Sequence, residues 1–279
     1  MERVDGLQIP TPAEHERALD TAWPWLRALD EEPAPLHDYL ASHGSWKVGF
    51  YFESLLAWWL QWNPELELLA HNLQVRASGR TLGALDYVVR DSEGAVQHWE
   101  VAVKFYLQLE SKAEWSAWVG PNQRDRLDLK LERMRDHQLP LSSTAEARVQ
   151  LANLGTTAHV QRRAVIKGAL FERWRGVPVL PRGASRSTPL GVWFPASAFS
   201  EYAARTPCSR WCQRLKPDWL GPARRSAASS LSGADVLRQF RAHPVTRPQL
   251  WSRLREGADM EWHEDARVFM VPDAWGVPA

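Results

Sequence analysis

Two acids and an amine lie in the mainly apolar, strand-like parts of residues 83–106, GALDYVVRDSEGAVQHWEVAVKFY. Asp86, Glu100 and Lys104 stand there among aliphatic and aromatic residues. An ionised group inside a protein costs on the order of several kcal/mol unless it is paired or bound to a metal ion. The stretch therefore predicts either a buried ion network or a cation-binding site.

The spacing of the stretch predicts how the two acids meet. The segment DSEG at 91–94 separates two strand-like runs. It fits a three-residue hairpin loop with Gly94 in the left-handed conformation, a type I turn followed by a bulge. This loop pairs residue 91 with residue 95, so Asp86 faces Glu100 with the two Cβ atoms roughly 5 Å apart.

Strand alternation divides the second run into two faces, because successive side chains point to opposite sides of a sheet. One face is wholly apolar and predicts packing against the core: Trp99, Val101, Val103, Phe105 and Leu107. The other face carries the polar cluster: His98, Glu100, Ala102, Lys104 and Tyr106.

Two facing carboxylates repel each other unless a cation lies between them. Their oxygen atoms suit Mg²⁺ or Mn²⁺, with water and a substrate phosphate completing the octahedron. A nearby lysine would stabilise negative charge developing on phosphorus. The alternative is structural: Lys104 pairs with one of the acids and no metal binds. The residues alone leave both interpretations open.

The elements that must position these residues are predicted in the order helix, three strands, helix, strand. Thr11 and Pro12 begin a helix over 11–29 that Pro24 limits or bends, and hydrophobic spacing predicts a second helix over 45–62. Strands over 68–76, 82–90 and 95–107 follow, then helices over 120–140 and 143–153 and a strand over 158–173. The rest is rich in Pro, Gly and Ser, with a helix near 233–241 and strand-like LGVWFP and ARVFMVP.

In the types and order of these acids and this lysine, the sequence resembles the PD-(D/E)XK nuclease superfamily. FYFESLLAWWL supplies an acid on the first core helix, GALDYVV an Asp on a strand, and HWEVAVKFY the acid-and-lysine strand. More closely, LLAHNLQVRASGRTLGALDYVVRD, GPNQRDRLDLKLERMRDHQLPLS and FMVPDAW resemble DUF1853, a bacterial family grouped with that superfamily. One position differs, since Ala102 stands where the superfamily has its lysine, and Lys104 follows two residues later on the same face.

The resemblance implies a set of site residues and a fold. The implied catalytic residues are Glu53, Asp86, Glu100 and Lys104, and the implied ligands of a Mg²⁺ or Mn²⁺ ion are Asp86, Glu100 and Val101. The implied fold is α/β, a restriction-endonuclease-like core whose mixed central sheet is flanked by helices. We expect an N-terminal helical segment at 1–44, the core at 45–175, and a smaller basic α/β extension packed on it at 176–279.

The distribution of charge favours a nucleic-acid partner. The net charge is only +1, but residues 160–256 hold 18 Lys or Arg against 5 acids. A basic half of this kind is typical of proteins that bind nucleic acid, although a solvated basic surface is the plainer explanation. Candidate phosphate contacts lie where the helix over 120–140 begins: Asn122, Arg124, Arg126 and Lys130. The alternative is a solvated charged helix face.

Composition and short motifs narrow the classes of protein to which the chain can belong. A hydrophobic content of 44% and a charged content of 24% are typical of a soluble globular protein, and no apolar run predicts a membrane span. The polar start predicts cytoplasmic residence, and Cys208 and Cys212 are expected to be free thiols. No glycine-rich phosphate loop and no G-x-S-x-G motif is present. We therefore expect a metal-dependent nuclease, or else a catalytically silent relative that binds nucleic acid or a protein partner.

Overall fold

The computed structural model describes residues 7–43, 46–156, 159–177, 179–185 and 188–276. In this part of the chain helices and strands alternate as an α/β fold. The helices are α1 Pro12–Glu31, α2 Ala34–His43, α3 Val48–Trp62, α4 Leu127–Arg133, α5 Ala145–Asn153, α6 Phe199–Ala204 and α7 Gly233–Ala242. The strands are β1 Leu66–Ala77, β2 Arg80–Asp91, β3 Val96–Gln108, β4 Trp118–Val119, β5 Gln161–Arg173, β6 Leu190–Pro195, β7 Arg210–Arg214, β8 Arg224–Arg225, β9 Leu231–Ser232, β10 Gln249–Glu256 and β11 Trp262–Val271.

The chain forms two compact units, each built from separate segments. The first contains Met1–Val103, Leu129–Lys167 and Gly183–Arg186, and the second contains Lys104–Asp128, Gly168–Arg182 and Ser187–Ala279. This division differs from the expected boundaries at 44 and 175. The reason is that β3 and β5, which are neighbouring strands, each contribute residues to both units.

The first unit is an antiparallel meander covered by helices. Strand β2 pairs with β1 on one side and with β3 on the other. Helix α3 packs its apolar side onto Tyr87, Val89 and Val101 of the sheet. Helix α5 belongs to a second apolar cluster that includes Val75 and Val88. Strand β3 is consequently buried along nearly all of its length, rather than on one face only as the alternation predicted.

The hairpin between β2 and β3 has the predicted register. Tyr87 pairs with Trp99 and Val88 with His98, so the residue numbers of each pair have the same sum as 91 and 95. The loop closes with a hydrogen bond from the Asp91 N–H to the Ala95 carbonyl, 3.0 Å long, and Gly94 has a φ of 84°. The prediction of a three-residue loop with a left-handed glycine is confirmed.

The second unit carries the mixed part of the sheet. Strand β6 runs parallel to both β5 and β11, whereas β11 pairs antiparallel with β10 and β10 antiparallel with β7. Aromatic side chains fill the core between these strands and α6 and α7, among them Phe194, Phe199, Trp211 and Trp251. The expectation of a mixed sheet flanked by helices is therefore confirmed.

Two predicted helices differ from the structure, each for a local reason. Helix α1 begins with the expected capping box between Thr11 and Glu14, but it continues through Pro24 to Glu31. The helix expected over 120–140 begins only at Leu127, because residues 121–124 form a turn. Gln123 has a positive φ of 58°, a conformation that no helix contains.

Gly168 in β5 fits its position only because it lacks a side chain. Its φ is +130°, and a Cβ atom added there would lie 1.7 Å from the carbonyl oxygen of Lys104 in β3. A side chain at this position would push the two strands apart and strain the backbone.

We expect Gly168→Ala to lower the free energy of unfolding by about 2–3 kcal/mol, from forced displacement and backbone strain together. Urea denaturation of the purified variant measures this loss. Gly221→Ala is the matched control, because no atom lies within 4 Å of an added Cβ there. A loss at Gly168 no larger than at Gly221 would contradict the close approach.

Candidate functional site

Asp86 and Glu100 meet at the point where β2 and β3 stop pairing. The last ladder pair is Tyr87 with Trp99, one residue short of the two acids. Beyond this pair, a side chain acts as the hydrogen-bond acceptor across the two strands: Asp86 Oδ2 accepts a hydrogen bond of 2.9 Å from the Val101 N–H. The carboxyl groups of Asp86 and Glu100 also lie close enough for Glu100 to raise the pKa of Asp86. The predicted meeting of these two acids on adjacent antiparallel strands is what the structure shows.

Glu100 is fully buried, and both of its oxygens have partners. Oε1 lies 2.8 Å from His98 Nε2, and Oε2 accepts a hydrogen bond of 2.5 Å from Gln138 Nε2. His98 is also fully buried. These two contacts fix the orientation of the carboxyl group, much as neighbouring polar groups orient the ligands of metal sites.

Burial governs the protonation of this cluster. Burial, together with the nearby charge of Glu100, raises the pKa of Asp86 to about 6. It also raises the pKa of Glu100 to about 7, although Lys130 opposes the shift. For His98, burial lowers the pKa to about 4, against the attraction of Asp86. The His98–Glu100 contact is therefore a hydrogen bond to a neutral imidazole near neutral pH, rather than an ion pair.

Glu53 joins the same cluster from helix α3. Its side chain is partly buried; burial raises its pKa, as does the charge of Asp86, whereas Lys130 lowers it. The helix is held to the sheet at this residue, because the Tyr87 hydroxyl donates a hydrogen bond of 2.6 Å to the Glu53 carbonyl. The structure thus places the three predicted catalytic acids, Glu53, Asp86 and Glu100, close enough for the charge of one to act on the pKa of another.

A cation reaches this cluster from helix α4. Lys130 Nζ donates a hydrogen bond of 2.9 Å to Gln138 Oε1, and the amide of Gln138 continues to Glu100. Helix α4 ends in a π-helical turn, Met134–Gln138. One α turn of 3.6 residues and one wider π turn together span about eight residues, which places Lys130 and Gln138 on the same side of the helix.

Comparison with known protein families gives a match over residues 5–271 to the Domain of unknown function (DUF1853). The chain belongs to the DUF1853 family. A search of curated proteins gives no match, and a search of solved structures gives none either.

Lys104 of this DUF1853 protein has a different partner from the one expected. Its Nζ lies 2.5 Å from Asp125 Oδ2, and both residues belong to the second unit. The residues alone left open an ion pair of Lys104 with Asp86 or Glu100. The structure instead pairs Lys104 with Asp125. This pair ties β3 to the turn before α4, because Asp125 also accepts the Gly120 N–H at its backbone carbonyl, 2.7 Å away.

The four predicted phosphate contacts do not lie together on one helix. Asn122 and Arg124 are exposed in the turn that precedes α4, and Arg126 forms an ion pair with Asp128. Only Lys130 lies within the helix, and it belongs to the first unit with the acidic cluster. The expected helix N-terminus is wrong in position because the turn delays the helix until Leu127.

Two contributors to the cluster were not identified from the sequence. His98 was placed on the correct face but was not distinguished from the other polar residues there. Gln138 gave no signal at all, because its position depends on the π turn, which hydrophobic spacing does not predict. The one available hint was Pro140, which marks a break in helical hydrogen bonding just after it.

The donor chemistry of Asp86 and Glu100 fits a hard divalent cation. Among the described residues, no group of three or more His, Cys, Asp or Glu side chains is arranged to hold a metal ion. Mg²⁺, however, is commonly bound through one or two carboxylates, with water and substrate oxygens completing the octahedron. Asp86 and Glu100 are two neighbouring carboxyls of this kind, and both must be deprotonated before they can bind a metal ion.

Proposed function

We propose that this DUF1853 protein is a metal-dependent nuclease that hydrolyses phosphodiester bonds in nucleic acid. The observation that carries the proposal is the proximity of the Asp86 and Glu100 carboxyls where the β2–β3 ladder ends, with Asp86 hydrogen-bonded to the residue after Glu100. Two carboxyls held this close favour a bound cation once both are ionised. Asp86 and Glu100 lie on neighbouring strands, and a third acid, Glu53, lies on helix α3. This combination is the one on which the resemblance to the PD-(D/E)XK superfamily rests.

In this proposal, Asp86, Glu100 and the carbonyl oxygen of Val101 would hold Mg²⁺ or Mn²⁺. When bound, such an ion polarises a phosphoryl oxygen and makes a bound water more acidic. The chain keeps the two ligands in place through the Val101 N–H, which orients Asp86, and through His98 and Gln138, which orient Glu100. Glu53 adds a third acid near the site.

The proposal is tested by incubating the full-length protein with single- and double-stranded DNA and RNA, with Mg²⁺ or Mn²⁺ and with a chelator. We expect cation-dependent cleavage of at least one substrate at pH 8, where Asp86 and Glu100 are ionised. Asp86→Ala should reduce the rate to background because it removes a ligand. Asp38→Ala, at an exposed position on α2, is the control and should cleave like the wild type.

The second candidate is a catalytically silent protein that binds nucleic acid or a protein partner. The complete burial of Glu100, with both oxygens hydrogen-bonded, favours it, because a carboxyl so enclosed is costly to ionise. Ion pairs also occupy several arginines of the basic half, including Arg214 and Arg253. Salt-dependent binding of nucleic acid without cleavage in any of the reactions above would support this candidate.

A further inference from the structure

We propose that Lys130, on helix α4, supplies the positive charge of the acidic site and that Gln138 positions it, whereas Lys104 is structural. This inference rests on the proposed nuclease function and names the residue that would stabilise charge on the scissile phosphate. Sequence position alone assigned that role to Lys104, because it follows Glu100 on the same strand face.

The contacts of Lys130 lead directly to the acids. Its ammonium group is 2.9 Å from Gln138 Oε1, and the Gln138 amide nitrogen is 2.5 Å from Glu100 Oε2. One amide therefore joins the lysine to the carboxyl, with its oxygen toward the cation and its nitrogen toward the acid. The Asp86 carboxyl lies next to Glu100, so the lysine is close to both proposed ligands.

Electrostatics agree with this geometry. The positive charge of Lys130 lowers the pKa of each of the three acids, Glu53, Asp86 and Glu100, against the effect of burial. A partly buried amine next to three partly or fully buried acids is placed to attract an anionic phosphate into an otherwise negative site. It also reduces the repulsion among the acids when no cation is bound.

Lys104 lacks these properties. Its ion pair with Asp125 belongs to the second unit, and both partners are partly exposed, with relative side-chain areas of 32% and 43%. A pair at such exposure contributes little to stability and serves mainly to position the turn before α4. Its replacement should therefore affect the site far less than replacement of Lys130.

The role of Lys130 is tested by comparing Lys130→Met with Lys104→Met in the full-length protein, using cleavage kinetics and calorimetric titration with Mn²⁺. We expect Lys130→Met to lower kcat by about 100-fold or more, as loss of one group that stabilises transition-state charge typically does. Mn²⁺ should bind at least about threefold more tightly to this variant, because a nearby positive charge is gone. Lys104→Met should stay within about threefold of the wild type in both measurements, and Lys130→Arg should recover part of kcat while KM stays near that of the wild type.

The possible outcomes separate this inference from the proposed function. Wild-type cleavage that survives Lys130→Met but is lost in Lys104→Met would overturn the inference and leave the nuclease function in place. If the wild type binds Mn²⁺ but cleaves nothing, the Mn²⁺ titration alone decides: unchanged affinity in Lys130→Met would overturn the inference. A wild type that neither binds Mn²⁺ nor cleaves would overturn both proposals.

Discussion

Glu100→Gln is expected to stabilise the metal-free protein, by an amount that grows as the pH rises. Glu100 has a pKa raised from 4.5 to about 7 by burial, so the folded state holds a proton that the unfolded chain has already released. The stability that this proton provides is complete below pH 4.5 and is lost as the pH rises through 7. Glutamine keeps the shape of the side chain without the charge, so the variant should be about 3 kcal/mol more stable relative to wild type at pH 8 than at pH 4.5.

The measurement is urea denaturation of both proteins between pH 4.5 and pH 8 in the presence of a chelator. Neighbouring groups are common to both proteins, but the variant also lacks the charge of Glu100 that raises the pKa of Asp86, which changes the difference in the same sense. His98 contributes in the opposite sense, because its lowered pKa costs stability as the pH falls from 6.5 towards 4, and this contribution largely cancels in the difference. Glu132→Gln, at an exposed position on α4, is the control. A difference between wild type and Glu100→Gln that stays constant with pH would show that Glu100 is not destabilised by burial.

The meeting of Asp86 and Glu100 could be predicted from sequence because it depends on local chemistry. The loop at 91–94 fixes the register of the hairpin. Because strand pairing keeps this register, Asp86 and Glu100, each five positions from the closing pair at 91 and 95, face each other. Hydrophobic spacing over 45–62 places Glu53 on the helix that precedes the sheet. Features set within about ten residues of a strong turn or capping signal were therefore predicted well, including the capping box at Thr11.

The position of the cation could not be predicted in this way. Alternation along β3 puts Lys104 on the same face as Glu100, but alternation does not show that Asp125 is available as a partner. Lys130 is linked to the acids through Gln138. The π turn that follows α4 places Gln138 on the same side of the helix as Lys130, where the two side chains form a hydrogen bond. A single wider turn leaves no trace in hydrophobic spacing, and its effect on the site depends on tertiary contacts.

The boundaries of the two units were unpredictable for a related reason. Composition changes near 176, where Pro, Gly and Ser become frequent, and this suggested a boundary there. The structure instead assigns Lys104–Asp128 to the second unit together with the C-terminal segments. A long strand such as β3 can contribute to two units at once, and no local pattern marks the residue at which it passes from one to the other.

Addition of Mg²⁺ or Mn²⁺ is expected to raise the melting temperature of the wild-type protein at pH 8. A cation that binds only the folded state stabilises it by mass action, by about 2.7 kcal/mol at one hundred times its dissociation constant. Asp86 and Glu100 must release their protons first, and their pKa values are raised to about 6 and about 7. The rise should therefore be large at pH 8 and small at pH 5.5, as followed by thermal denaturation at constant ionic strength.

Asp86→Asn distinguishes a site at these two acids from cation binding elsewhere. The substitution removes one ligand and the repulsion between the carboxyls, so the metal-free variant should be at least as stable as the wild type at pH 8. Asparagine keeps an oxygen that can accept the Val101 N–H, which protects the local geometry. The increase in melting temperature should disappear in this variant, because a single buried carboxylate is a poor ligand set for a divalent cation. An equal increase in wild type and variant would place the cation elsewhere, and no increase in the wild type would leave Asp86 and Glu100 as a structural pair that shares a proton.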